Sequence, residues 1–180
     1  LGVSSVYLPW ISLFVIVSFV AGLMLGKLLG IHHRVAFLLS SGAAICGGTA
    51  MAAVAPIIKA KPQELLIAMT IVFLLNAVAI IVFPIVGTYL GMNNFDFGAW
   101  SALAIHDTSS VIGSALIFSN ESAQVAATLK LGRTIWLIPL ILFANWMFNK
   151  QTQVTKFPRF ILFFILAIIA NTLFLSLIHI

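Results

Sequence analysis

Charge is what this sequence has least of. Nine Lys/Arg and four Asp/Glu amount to 7% of its 180 residues, while 62% are hydrophobic. A soluble domain carries about 25% charged residues and about 45–50% apolar ones. A soluble monomer this poor in charge could not cover its own surface, so an ordinary soluble domain and a disordered chain are both excluded. Cysteine is scarcer still, since Cys46 stands alone, and that excludes a disulfide scaffold. With no second cysteine and no ligand-spaced histidine, Cys46 reads as a small buried apolar residue rather than a redox or metal group. A signal-peptide pattern is missing as well. The chain opens on Leu1 and closes at Ile180 within an apolar run, which suggests a portion of a longer protein.

What is present is apolar sequence in long runs. A bilayer-spanning helix needs about 20 predominantly apolar residues. Six segments meet that requirement: Pro9–Leu29, Val35–Ala60, Glu64–Leu90, Phe95–Phe118, Ala123–Phe148 and Phe160 to the end. Connections are short, and only Asn149–Pro158 resembles a linker. The expected fold is an all-α polytopic membrane protein, with residues 1–180 as a single integral membrane transport domain.

Two segments are interrupted. Val35–Ala60 contains Ser40, Ser41, Gly42, Gly47, Gly48 and Thr49, and Phe95–Phe118 contains His106, Asp107, Thr108, Ser109 and Ser110. Backbone polar groups cannot be left bare in lipid, so such breaks are tolerated only inside protein or along a watery cavity. A pair of them is the sequence pointer to a transporter binding site and to an inverted repeat.

The few charges help decide how these segments run. If all six span, Lys27, Arg34, Lys150, Lys156 and Arg159 share one side and Lys59 and Lys61 take the other. If both interrupted segments are re-entrant hairpins, all of these basic residues share one side, and the opposite loops carry only Asp96 and Glu121. The second pattern obeys the positive-inside tendency better and is favoured. The net charge of +5 is then topological, with no nucleic acid implied. Segment length still leaves two broken spanning helices as the alternative.

The candidate residues follow from depth. Ser41, Gly47, Gly48 and Thr49 form one cluster. A helix starting after Gly47-Gly48 would present free N–H groups to an anion, although small residues also simply permit tight helix packing. Thr108, Ser109 and Ser110 form the second cluster beside His106 and Asp107. Ionisable groups at membrane depth are costly and usually functional. His106 is a candidate for proton or ion coupling. Asp107 either modulates it or caps the half-helix that follows. A hydrolase relay is disfavoured, because adjacent residues cannot easily act as nucleophile, base and orienter, so the chain is not read as an enzyme. Lys130 and Arg133 lie about two turns inside the fifth segment. They would pair with Asp107 or Glu121 or hold an anionic substrate, unless they snorkel to the interface. Asn76 and Asn145 read as interhelical hydrogen-bonding residues.

Three stretches also resemble a known family. Ser41-Gly42-Ala43-Ala44-Ile45-Cys46-Gly47-Gly48, followed by Ala53-Val54-Ala55-Pro56-Ile57-Ile58-Lys59, resembles the Ser-Ile-Cys-Gly region of the YeiH-like bacterial membrane proteins. Ile105-His106-Asp107-Thr108-Ser109-Ser110-Val111 resembles that family's His-Glu-x-x-Gln-Val stretch. Leu129-Lys130-Leu131-Gly132-Arg133 with Pro139 is similar to its Lys-x-x-Arg…Ala-Pro stretch. Here Ala44 stands for the usual serine, Asp107 for glutamate and Ser110 for glutamine. The resemblance, to the central portion of longer family members, implies a multi-pass carrier of the bacterial cytoplasmic (inner) membrane with inverted repeats. It also implies a small anion of the sulfate or sulfonate class as substrate, as the family's catalogue name of sulfate exporter suggests. A coupling ion, proton or sodium, would accompany the anion. No cofactor or metal is expected, and a homo-oligomer is compatible. The alternatives are an anion channel and a non-transporting receptor or assembly component.

Overall fold

The computed structural model describes residues 2–148, with side chains from residue 9 onward. The sixth apolar segment, the Asn149–Pro158 linker, Lys150, Lys156 and Arg159 lie outside the described residues. Eight helices follow in order: α1 (Gly2–Leu28), α2 (His33–Ala44), α3 (Gly48–Val54), α4 (Pro62–Tyr89), α5 (Asn94–Ala104), α6 (Thr108–Phe118), α7 (Asn120–Thr134) and α8 (Leu137–Phe148). The described residues contain no strand.

Length separates these helices into two kinds. The 28 residues of α4 reach about 42 Å at 1.5 Å per residue, more than the about 30 Å of a hydrocarbon core. α1 and the combined run Asn120–Phe148 are also long and apolar enough to cross. By contrast α2 has 12 residues and α5 and α6 have 11 each, about 16–18 Å apiece. None of these half-helices can cross alone.

The long helices are stopped by glycine. Gly30 (φ 66°) and Gly91 (φ 64°) follow α1 and α4 in the left-handed conformation. Around Gly30, Ile31 N donates to Gly26 O and Gly30 N to Lys27 O; around Gly91, Met92 N donates to Gly87 O and Gly91 N to Thr88 O. Each is a Schellman closure, which satisfies terminal carbonyls and lets the chain turn at once. α4 starts on Pro62, whose missing N–H costs nothing at that position, and Glu64 Oε2 accepts from Lys61 N at 2.7 Å.

The short helices pair into hairpins, and their bases show it. His32, just before α2, meets Glu64 in the first turn of α4, with Nδ1 and Oε1 3.1 Å apart. The intervening segment therefore returns to the end it left. Met51 of α3 lies back against Gly42 of α2, where a Cβ would come within 3.1 Å of its Cγ. In an unbroken helix these residues would be about 13 Å apart along the axis. In the second segment, Asn94 Nδ2 donates to Glu121 Oε2 at 2.7 Å and Ser122 Oγ donates to Asn94 O at 2.8 Å. The Phe97 and Phe118 rings stack there with centroids 4.0 Å apart. Both interrupted segments are thus re-entrant, from opposite ends of α4, which is the arrangement favoured by the charge distribution. Lys27, Arg34, Lys59 and Lys61 lie toward one end, Asp96 and Glu121 at the other.

The fifth segment differs from its sequence reading as an unbroken run. It starts at Asn120 and is broken between Thr134 and Leu137. Pro139 is the reason: it lacks an N–H and its ring crowds the carbonyl four residues back, that of Ile135. The chain tightens there, with Trp136 N donating to Arg133 O and Ile138 N to Ile135 O. Pro84, by contrast, leaves α4 unbroken.

Burial gives the layers. In the most apolar windows of α1 and α4 only 17% of residues are buried, against 44% for Asn120–Phe148. Leu13, Val17, Val20 and Met24 of α1 and Leu66, Leu74, Val78 and Ile81 of α4 are exposed. They form an outward-facing apolar surface, while α7, the hairpin tips and the inward stripe of α4 form the core.

Candidate functional site

The hairpins meet tip to tip. Gly47 has φ 65° and ψ −125°, and a Cβ on it would lie 3.3 Å from Asp107 Cα and 3.4 Å from Asp107 N. Glycine is needed here for the backbone angle and for the close approach. Gly48 packs on α4, where a Cβ would come 2.9 Å from Phe73 Cζ.

This junction creates an electrostatic difficulty. α2 and α5 both end deep inside the protein, and the last carbonyls of a helix have no intrahelical partner. They also carry the negative end of the helix dipole. Arg133 answers both ends together. Its Nε donates to Ala44 O at 3.2 Å, and its Nη2 to Ala43 O at 2.8 Å and Ala44 O at 2.6 Å. Its Nη1 donates to Ala102 O and Leu103 O, both at 2.9 Å. Lys130 Nζ donates to Ile105 O at 2.9 Å. Both side chains are 0% exposed, and Phe14 of α1 covers Arg133, its ring centroid 5.2 Å from Cζ. Neither cation snorkels.

The expected pairing of Lys130 or Arg133 with Asp107 or Glu121 is corrected. Glu121 accepts from Asn94 at the base of the second hairpin. Asp107 Oδ2 takes Ser109 Oγ at 2.5 Å, Ser110 N at 3.0 Å and Ser110 Oγ at 3.1 Å. That makes Asp107 the cap of α6, the structural option raised for it. Half-helix carbonyls, rather than carboxylates, are the cations' counter-groups.

The other candidates are spread around this junction. Ser41 is buried one turn before the end of α2, its hydroxyl donating to Phe37 O at 2.7 Å, and Ser40 bonds Ala36 O in the same way. Thr49 and Ser109 are exposed; Thr108 and Ser110 are half-buried. Cys46 is a buried free thiol. Among the described residues no group of three His, Cys, Asp or Glu converges on a metal-sized site. His106 N donates to Asn76 Oδ1 at 3.2 Å, tying the second tip to the middle of α4. His106 Nδ1 is buried with no partner, as are Asn76 Nδ2, Ser101 Oγ and Ser114 Oγ. An orphaned buried polar atom costs about 1–3 kcal/mol, so these atoms need a reason. Ser101 and Ser114 were not singled out from sequence. Asn76 was, as an interhelical bonding residue, and its Oδ1 has that role; its place at the junction was not foreseen.

Known proteins give this geometry a family. A UPF0324 membrane protein of Bacteroides thetaiotaomicron is 43% identical over 168 residues, covering 91% of this chain and 51% of the relative. Another from Porphyromonas gingivalis is 45% identical over 170 residues, covering 91% and 52%. One from Shewanella oneidensis is 42% identical over 154 residues, covering 86% and 49%. The chain spans about half the length of these curated relatives. No solved structure matches it. The family described as Conserved hypothetical protein 698 matches residues 1–180, and the chain belongs to it, the YeiH-like membrane proteins.

Proposed function

We propose that the chain forms the substrate-binding core of a secondary carrier for a small anion of the sulfate or sulfonate class. The observation that carries this reading is the contact between two oppositely entering hairpins at Gly47 and Asp107. Carriers built on inverted repeats place substrate where discontinuous helices meet near the midplane. Two buried cations, Lys130 and Arg133, underlie one carboxylate, Asp107, so the junction favours negative charge. Because its donors are engaged by carbonyls, Arg133 acts through position and field, while Lys130 Nζ gives one hydrogen bond to Ile105 O and has donors to spare. Direct contact falls to the tips: His106, Thr108, Ser109 and Ser110, opposite Gly47 and Gly48. Movement of the paired hairpins against the continuous helices would open the junction to each side in turn. His106 would carry a coupled proton, with sodium as the alternative coupling ion.

The protein is read as multi-pass in the bacterial cytoplasmic membrane, with Lys27, Arg34, Lys59 and Lys61 facing the cytoplasm by the positive-inside rule. Cysteines placed at Lys61 and Asn120 test the topology. Membrane-impermeant reagent should label Asn120→Cys from outside intact cells and Lys61→Cys only after permeabilisation.

Transport is tested with the full-length protein in proteoliposomes, using labelled sulfate and methanesulfonate with and without a proton gradient. Saturable, gradient-dependent flux that falls at least about tenfold in His106→Ala supports the proposal, a size typical of losing a positioned proton-transfer group. Non-saturating flux would make the protein a channel. Binding without flux would make it a receptor.

A further inference from the structure

Asn76 lies near the middle of α4, a helix whose other faces are exposed and apolar. Its neighbours Leu74, Leu75 and Val78 are all exposed, yet Asn76 itself is 2% exposed. Its amide orientation is fixed by chemistry. His106 N is a donor, so the atom 3.2 Å away that receives it must be the carbonyl oxygen Oδ1. The other end of the amide, Nδ2, is then a donor, and it has no partner. An asparagine retained only to bond two helices would have its work done by Oδ1. It would not need a second polar atom buried bare.

His106 shows the same half-use. Its backbone N is bonded to Asn76. One ring nitrogen, Nδ1, is buried without a partner, and the ring lies near the Ala43 backbone at the end of α2. In the neutral tautomer with its hydrogen on the other nitrogen, Nδ1 has no hydrogen to donate. Nδ1 is then a bare lone pair. Two unsatisfied atoms thus belong to a residue pair already joined by a hydrogen bond, one a donor and the other an acceptor that becomes a donor on protonation.

We propose that Asn76 Nδ2 and His106 Nδ1 form a single anion subsite that accepts an oxyanion oxygen only when His106 carries a proton. The inference rests on the anion-carrier reading above and assigns its contact atoms. With neutral His106 the pair offers one donor and one acceptor, which suits a water or a hydroxyl. A bare sulfate or sulfonate oxygen has only lone pairs and is repelled by the acceptor. With His106 protonated the pair offers two donors, and the anion fits. Proton and anion therefore bind together, one to one, with no separate coupling site.

The charged and titratable groups around His106 are few. Lys130 and Arg133 face it from α7, and Asp107 adjoins it on its own hairpin. The Cys46 thiol sits at the opposing tip, within reach of the fields of Lys130, Arg133 and Asp107. At this depth α4 contributes neutral Asn76 and Phe73. Asp107 is held by Ser109 and Ser110, Arg133 and Lys130 bond carbonyls, and His106 Nδ1 has no partner.

The experiment measures sulfate and methanesulfonate binding to purified full-length protein by calorimetry, at two pH values and in buffers of different ionisation enthalpy. The unmutated protein should take up about one proton per anion bound, and its affinity should fall up to about tenfold per pH unit as pH rises. Asn76→Asp keeps an acceptor for His106 N but replaces the free donor with an acceptor. It should melt below the parent, because an ionisable group at that depth is costly, and bind at least about tenfold more weakly, as expected when a buried donor is lost. His106→Gln should bind weakly with no pH dependence. Parent-like affinity in Asn76→Asp, or anion binding by the parent with no proton uptake, overturns the subsite while leaving the carrier reading intact. The proton count needs no variant, so it decides the matter even if Asn76→Asp fails to fold. If the parent binds none of the anions at either pH, the carrier reading itself falls.

Discussion

The two hairpins share a shape and differ in their polar atoms. The first satisfies its hydroxyls within α2: Ser40 and Ser41 donate back to Ala36 O and Phe37 O; its tip is Cys46-Gly47-Gly48, and its bare atom, Arg34 Nε, lies at its base. The second leaves Ser101 Oγ, Ser114 Oγ and His106 Nδ1 buried and bare. The shared shape comes from one residue outside both, since Arg133 takes the terminal carbonyls of α2 and α5 alike. The difference teaches that an inverted repeat need not divide its chemistry evenly. The first hairpin is a smooth wall that lets Asp107 approach, and the second keeps its bare polar atoms at and behind the tip.

The largest effect should come from removing what makes the hairpins alike. Arg133→Leu strips donors from four carbonyls, those of Ala43, Ala44, Ala102 and Leu103. Breaking a buried charged network by deleting one partner costs about 3–5 kcal/mol. Thermal unfolding in detergent should show a large drop in melting temperature, and proteolysis should cut at both tips. Arg133→Lys should recover only part of the loss, because an ammonium lacks the planar fork that spans two helix ends. An unchanged melting temperature in Arg133→Leu would mean that each hairpin closes without the shared arginine.

A smaller effect separates the two tips. Gly47→Ala puts a Cβ 3.3 Å from Asp107 Cα at φ 65°. At ψ −125° this backbone lies outside the left-handed helical well, and an alanine there pays about 1–3 kcal/mol for the backbone alone. Gly113 of α6 has nothing within 4 Å of a Cβ, so Gly113→Ala should stabilise by about 0.5–1 kcal/mol. Measured side by side by thermal unfolding, the pair should move in opposite directions. If both destabilise, the second hairpin is packed as tightly as the first.

Much of this architecture was legible in the sequence, because charge is so rare. Lys59 and Lys61 could share a side with Lys27 and Arg34 only if the segment between them turned back. The breaks at Gly47 and His106-Asp107 also stood out against apolar runs. The partners of Arg133 were not legible. Sequence reasoning pairs a buried cation with a carboxylate, and nothing in a string of letters marks the carbonyls of Ala43 and Ala102 as unsatisfied. The role of Asn76 was hidden for a related reason. α4 is apolar nearly all round, so no periodicity distinguishes its inward stripe from its exposed faces. The break near Ile135 was masked by hydropathy, although Pro139 was its signal four residues later.

The smallest effect tests the asymmetry itself. Ser40→Ala removes a hydroxyl that bonds Ala36 O at 2.7 Å. That carbonyl is one which Ser40 N already engages within the helix, so the loss should be modest, about 0.5–1 kcal/mol. Ser101→Ala removes a hydroxyl that is 0% exposed and without a partner. No bond is lost and a desolvated polar atom disappears, so stability should hold or rise by up to about 1 kcal/mol. The sign, read from melting temperatures of the two variants in one detergent, carries the information. If Ser101→Ala destabilised as much as Ser40→Ala, the second hairpin would be as satisfied as the first. The contrast between the hairpins would then narrow to His106 and its partner Asn76.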